Sequence, residues 1–308
     1  MVKMARCAAA MKGALVADAA SMGLHWIYDP EKIISLTRKA PLCPKDPAFF
    51  EPPSCPFYSY ESGQLSPYGA EGLGMLKSLN CLAQYDPTRL AQKFSEYLKG
   101  YSGRLNHASK ELIANIDAGK TFPECGANDS QANSLVKVPF ALSRFHSDQD
   151  WATRVEETMR VHQNHELAVE YGMASSHILH HIISTGATAK EALQWSTQDS
   201  SPLTADAKSK VKEALAFTGN EVEAAEAFGS SCALPGAFTV AVYILNTTET
   251  YEEAVKKNIM ASGDQCSRSC FIGACLAASQ GAECVPMDWI ERVTDMEDID
   301  KEIKRVCS

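Results

Sequence analysis

Three stretches of this sequence are apolar on nearly every side of a helix rather than along one stripe: Ala5 to His25, Cys232 to Leu245 and Cys270 to Ser279. A helix with no polar face has to be enclosed by other elements. No stretch alternates apolar and polar residues between turn signals, which is what a half-buried strand requires. The expectation is an all-α fold. It is a single compact multi-helix domain over residues 1–308, with those three segments inside. No internal repeat and no linker divides the chain.

The other helices announce themselves by their ends. Asp86-Pro87 reads as an N-cap with proline at the first helical position, leading into Arg89 to Lys99. Asp150 is placed to cap a helix carrying Val155 and Met159. Glu166 to Ser184 ends at Gly186, and Thr188 to Glu191 reads as a capping box. Thr204 to Phe217, Thr250 to Met260 and the charged tail Asp288 to Ser308 are helical in pattern. Asp29 to Pro67 differs. Prolines at 30, 41, 44, 47, 52, 53, 56 and 67 predict a long irregular connection, a kind of loop that is usually functional.

Lys and Arg number 29 against 38 Asp and Glu, a formal charge of −9 with no basic block. That argues against nucleic acid as a partner. It favours solubility and leaves room for self-association at high concentration. Eleven cysteines, an odd number with no C-x-x-C pair, do not make a disulfide framework. No uncharged apolar run approaches the roughly 20 residues of a membrane span, so no membrane partner is expected. Together these predict a reduced, soluble, cytoplasmic chain.

Three loops place polar groups beside apolar helices. Asp18 is an acid within an apolar run, so it needs a partner: either a site or a hydrogen bond to a helix terminus. In Ser262-Gly263-Asp264-Gln265-Cys266-Ser267-Arg268, Asp264 and Ser267 could hold a cation or a phosphate, or could simply cap the next helix. A thiol at a helix start, Cys266, can have a lowered pKa. Ser66 to Glu71 reads as a turn and cap before the helix through Leu76 and Leu79. His162 and His165, and His177, His180 and His181, have ligand spacing but no Glu or Cys partner motif.

At these loops, from about Ala5 to Ala282, the chain resembles the ADP-ribosylglycohydrolase family. Ala17-Asp18-Ala19-Ala20-Ser21 resembles the family's Gly-Asp-Ala-Leu-Gly element, and Val161-His162 its Thr-His element. Ser262 to Ser267 resembles its Gly-Gly-Asp-x-Asp-Thr element. Leu234 to Ala237 and Tyr251 to Val255 fit the helices between. The resemblance implies an all-α fold, an ADP-ribose-like small-molecule ligand and, in active members, two Mg²⁺ ions that activate water. It also implies site residues. Asp18, His25 and Glu71 become candidates for catalysis, beside Cys266 from its helix-start position, His162 and Ser267 for ligand binding, and Asp264 for an incomplete metal site.

The sequence departs from the family where the ions belong. Cys266 stands at the second Asp of the C-terminal motif, and His25 at the Glu after the N-terminal element. Near Ser66 to Glu71, where the family has Thr-Asp-Asp, Glu71 is the only acid. Thiol and imidazole are poor substitutes for hard oxygens. No cofactor is therefore expected, with Mg²⁺ only if the ancestral site is retained. His25 to Asp29 and Asp264 to Arg268 look most like the branch holding the J crystallins, jellyfish lens proteins, and selenoprotein J. That branch implies a structural, crystallin-like role. The alternative is a glycosidic-bond hydrolase with an altered metal site.

Overall fold

The computed structural model describes residues 2–38 and 46–307. In it sixteen α-helices follow one another, with no strand among the described residues. In chain order they are α1 (Val2–Ser21), α2 (Pro30–Arg38), α3 (Pro67–Asn80), α4 (Pro87–Gly100), α5 (His107–Asp117), α6 (Asn133–Phe145), α7 (Trp151–His162) and α8 (Glu166–Thr185). Then come α9 (Ala189–Ser196), α10 (Ala205–Ala216), α11 (Glu221–Phe228), α12 (Gly236–Thr247), α13 (Tyr251–Met260), α14 (Gln265–Gln280), α15 (Met287–Arg292) and α16 (Met296–Cys307). The all-α expectation holds.

The apolar helices lie inside, as their composition requires. In α14 every residue from Gln265 to Ala278 is buried. It is packed by α1, α3, α6, α8, α12 and α13. Small residues set how closely α1 and α14 approach. A Cβ on Gly273 would stand 2.4 Å from Gly13 O, and one on Gly13 would stand 2.5 Å from Ala277 Cβ. The two backbones therefore touch where no side chain fits. The two buried hydroxyls of α12 cost the core no unpaired group, since Thr239 donates to Pro235 O at 3.0 Å and Tyr243 to Gly219 O at 2.7 Å.

Several expectations need correction. With the turn that follows it, α1 runs from Val2 to Leu24, long and apolar enough by length and composition to cross a membrane. Its apolar window is 89% buried by the protein itself, so it serves as a core helix. The region Asp29 to Pro67 is not irregular throughout, because α2 occupies Pro30–Arg38. Proline at its first position is compatible with a helix. Residues 39–45, including Cys43, lie outside the described residues. The buried helix expected from Cys270 begins five residues earlier. The helix expected from Cys232 begins only at Gly236. The tail breaks at residues 293–295 into α15 and α16. Asp150 occupies the N-cap position of α7, but its carboxylate accepts from Arg154 rather than from the helix backbone.

The histidines of α8 are packing partners. His180 stacks on Trp151 and His181 on Trp195, each with ring centroids 4.1 Å apart. All ten described cysteines are free thiols, and Cys7, Cys125, Cys266, Cys270 and Cys275 are buried. Burial pushes each of these five thiols up, Cys7 to about 12 and Cys125 to about 11.

Gly273→Ala tests the α1–α14 contact. The added methyl meets backbone, which cannot swing aside, so unfolding in urea should show a loss of about 1–3 kcal/mol. Unchanged stability would mean that the crossing yields.

Candidate functional site

The site forms where the end of α1 meets the start of α14. The chain leaves α1 through Met22–Leu24 and reaches Trp26, whose backbone has φ +59°. Trp26 N–H donates to Gly263 O at 2.8 Å, and Gly263 N–H donates to Ile27 O at 2.8 Å. This two-way clasp locks the two loops together. Gly263 has φ +76°, and a Cβ there would lie 2.0 Å from Ser230 O, so the position requires glycine.

Asp264 lies under this clasp, fully buried. Its Oδ1 accepts Trp26 Nε1–H at 3.0 Å, and its Oδ2 accepts the Ser267 hydroxyl. Ser267 therefore binds the acid, and Asp264 makes no side-chain cap to α14. Burial raises the Asp264 pKa, against the hydrogen bond of Ser267 and the charge of Arg268. His25 Nε2 stands 3.6 Å from Asp264 Oδ1, too far for a hydrogen bond, and has no other partner. Its Nδ1 accepts the Cys266 N–H at 3.3 Å. Burial, together with Arg268, holds this imidazole well below its usual pKa, so it is neutral.

Arg268 follows Ser267 in the first turn of α14. It is fully buried. Its Nε donates to Asn258 Oδ1 at 2.8 Å and its Nη2 to Ser262 O, while Nη1 has no partner. Burial lowers its pKa to about 10, which still leaves a cation at neutral pH.

Asp18 faces the N-terminus of α3. It accepts Ser66 N–H at 2.8 Å, the Ser66 hydroxyl at 2.6 Å and Gly69 N–H at 3.1 Å. Ser66 Oγ in turn accepts Tyr68 N–H and Gly69 N–H. A carboxylate at a helix N-terminus is well placed electrostatically. Burial nonetheless pushes Asp18 up to about 7. Cys266, against Asp18 O, is buried and its thiol is pushed well up, the opposite of the direction its helix-start position suggested.

Glu71, one turn further along α3, belongs to a second buried cluster. Lys137 of α6 donates to Glu71 Oε1 at 3.1 Å, to Asn133 O at 2.6 Å and to His162 Nδ1 at 2.9 Å. Those three nearest acceptors match the three ammonium protons, with Gln163 Oε1 a more distant fourth at 3.4 Å. Since His162 Nδ1 accepts, its Nε2–H is left to donate to Ser109 Oγ at 3.1 Å. Glu71 Oε2 accepts from Asn106 at 2.6 Å and from Asn133 at 2.8 Å. Burial opposes ionisation of Glu71, but His162, Lys137 and Asn106 outweigh it and hold the carboxyl down at about 2. Beyond this cluster, Asp129 accepts from Gln163 Nε2 at 3.2 Å and lies 2.9 Å from His107 Nδ1.

The structure thus brings together Asp18, His25, Asp264, Cys266 and Ser267, and places Glu71 with His162 beside them. Lys137, Asn133, Asp129 and Gln163 were missed. Lys137 left a signal: it is the lone cation in the apolar run Leu135 to Leu142, and the reasoning applied to Asp18 would have found it. Arg268 left a weaker one, since a loop arginine is ordinarily solvated.

The donor set does not fit a pair of Mg²⁺ ions. Hard cations need several free carboxylate or carbonyl oxygens. Here each of the three acids already accepts protein donors. Tyr68, His25 and the Arg268 cation surround Asp264. Among the described residues no group of three or more His, Cys, Asp or Glu is arranged to hold a metal.

Removing Lys137 should strand Glu71. Lys137→Met is expected to cost about 3–5 kcal/mol, the range for breaking one partner of a buried ion pair. The wild-type pair also shapes acid stability. A folded pKa of about 2, below the ordinary 4.5 of Glu, stabilises above pH 4.5 and is lost as pH falls toward 2. Denaturant titrations across that window should show a steep loss in the wild type and a shallower one in Lys137→Met; parallel curves would contradict the assignment.

Comparison with known proteins gives a consistent answer. The family model described as ADP-ribosylglycohydrolase matches residues 2–308. Crystallin J1A of Tripedalia cystophora is 25% identical over 310 residues, covering 94% of this chain and 92% of that protein. Crystallin J1B of the same animal is 24% identical, covering 93% and 91%. A solved structure titled "ADP-ribosylglycohydrolase-related protein complex" superposes with a TM-score of 0.76 at 14% identity, over 99% of this chain and 97% of that one. The chain belongs to the ADP-ribosylglycohydrolase family.

Proposed function

We propose that this chain is a structural, crystallin-like member of its family, a cytoplasmic protein in which the ancestral two-metal chemistry has been given up. The observation that carries this reading is the commitment of Asp264, Asp18 and Glu71 to protein donors, with Arg268 and Lys137 as fixed cations beside them. Two relatives that are named crystallins and match along nearly their whole length support it. So does the net charge of −9, which makes copies repel one another at low ionic strength.

A second reading keeps the hydrolase. Asp264 and Ser267 remain at the head of α14, and His25 offers an unpartnered Nε2 beside them. In that reading the site takes an ADP-ribose-like ligand, with Asp264 holding a residual metal ion or acting as acid and base.

Two measurements separate the readings. Titrating Mg²⁺ into the protein in a calorimeter should give no binding heat, and incubation with ADP-ribosylated protein should release no ADP-ribose with or without Mg²⁺ or Mn²⁺. Metal-dependent release that disappears in Asp264→Asn would overturn the structural reading and establish the hydrolase.

The structural role has its own test. Light scattering at low salt should give a positive second virial coefficient that falls as salt screens the charge. Attraction between copies at low salt would argue against it.

A further inference from the structure

Tyr58, whose ring lies 5.9 Å from Trp26, also packs against Tyr60 at 4.3 Å. Tyr60 opens onto a separate cavity of about 390 Å³, between the 59–65 loop, α3, the end of α4 and the start of α16. That volume falls within the usual range for small-molecule sites, about 300–1,000 Å³. Neither of the two clusters described above uses it.

Its lining is unusual in two ways. Three tyrosines, Tyr60, Tyr97 and Tyr101, share the wall with Asp295, Asp298 and Lys77. Lys77 pairs with Asp298 at 2.6 Å. Asp295, just before α16 with φ +62°, has no side-chain hydrogen bond or ion pair among the described residues. The wall therefore carries one uncompensated negative charge. The phenols are the second feature. Tyr97 donates to Ala70 O at 3.1 Å. Tyr60 and Tyr101 meet oxygen to oxygen at 3.1 Å, and Arg104 N–H donates to Tyr60 Oη at 2.8 Å. Two hydroxyls sharing one hydrogen bond leave one O–H proton without an acceptor.

We propose that this cavity binds a compact organic ammonium ion, with its charge at Asp295 and its body against Tyr60, Tyr97 and Tyr101. A carboxylate supplies the charge partner. Tyrosine faces attract cations through the ring quadrupole. The remaining phenol proton suits a ligand that also carries a hydroxyl or ether oxygen. An anionic ligand would meet repulsion from Asp295, and a neutral one would gain nothing from its charge.

Benzylamine is a suitable probe, with benzyl alcohol as its neutral counterpart of similar size and benzoate as the anion. Ligand-observed NMR titration of the full chain at neutral pH should show saturable millimolar binding of benzylamine, and at least roughly tenfold weaker binding of the other two. Asp295 is exposed, so Asp295→Asn should fold normally and weaken benzylamine by a similar factor. Tyr101→Phe should weaken an amino alcohol more than benzylamine. Equal binding of benzyl alcohol, unchanged affinity in Asp295→Asn, or no saturable binding of benzylamine would each overturn the proposal.

Discussion

Helices α1 and α14 meet through glycine, backbone against backbone, and this contact decides where everything else can go. With Gly13 and Gly273 in register, Ser21 and Ser269 fall within 2.7 Å of each other further along the crossing. Beyond them the loop leaving α1 and the loop entering α14 have no choice but to meet. The clasp between Trp26, Ile27 and Gly263 is the result. The site is therefore a product of core packing: its loops are pinned at the end of the glycine-mediated α1–α14 contact.

Burial at that crossing controls the chemistry. Asp18, Glu71 and Asp264 are all taken out of water, yet they behave differently. Glu71 is surrounded by an ammonium, an imidazole and two amides and stays ionised. Asp18 has hydroxyl, amide and thiol donors but no charged one, and is pushed toward neutrality. Donor type, rather than depth, separates them. Lys137 and Arg268 supply inside the protein the positive charge that buried acids require. This chain thus sets cations from α6 and α14 beside Glu71 and Asp264.

How much of this was legible in the sequence depended on the reach of the interactions. The enclosed helices could be read because their composition leaves them no exposed face. Thr188 to Glu191 could be read because a capping box is local: its two reciprocal bonds lie within four residues. Asp18 could be picked out as needing a partner, but Ser66 is 48 residues away, so the partner could not be named. The Lys137–Glu71–His162 cluster joins α3, α6 and the end of α7, and only the packing brings them together. Helix α2 was hidden because proline density argued for a loop, although Pro30 sits where a helix tolerates it. The start of α14 was misplaced because Asp264 and Ser267 read as caps, whereas they bond to each other.

The interior thiols also bear on durability. Oxidation and disulfide exchange proceed through the thiolate. Cys7, Cys125, Cys266, Cys270 and Cys275 are kept protonated by the same packing that excludes water from the core. Their protection comes from the fold and lasts as long as it does. Cys81, at the exposed end of α3, has no such shelter. Covalent ageing of this molecule would begin at its surface and reach the core only after the helices part.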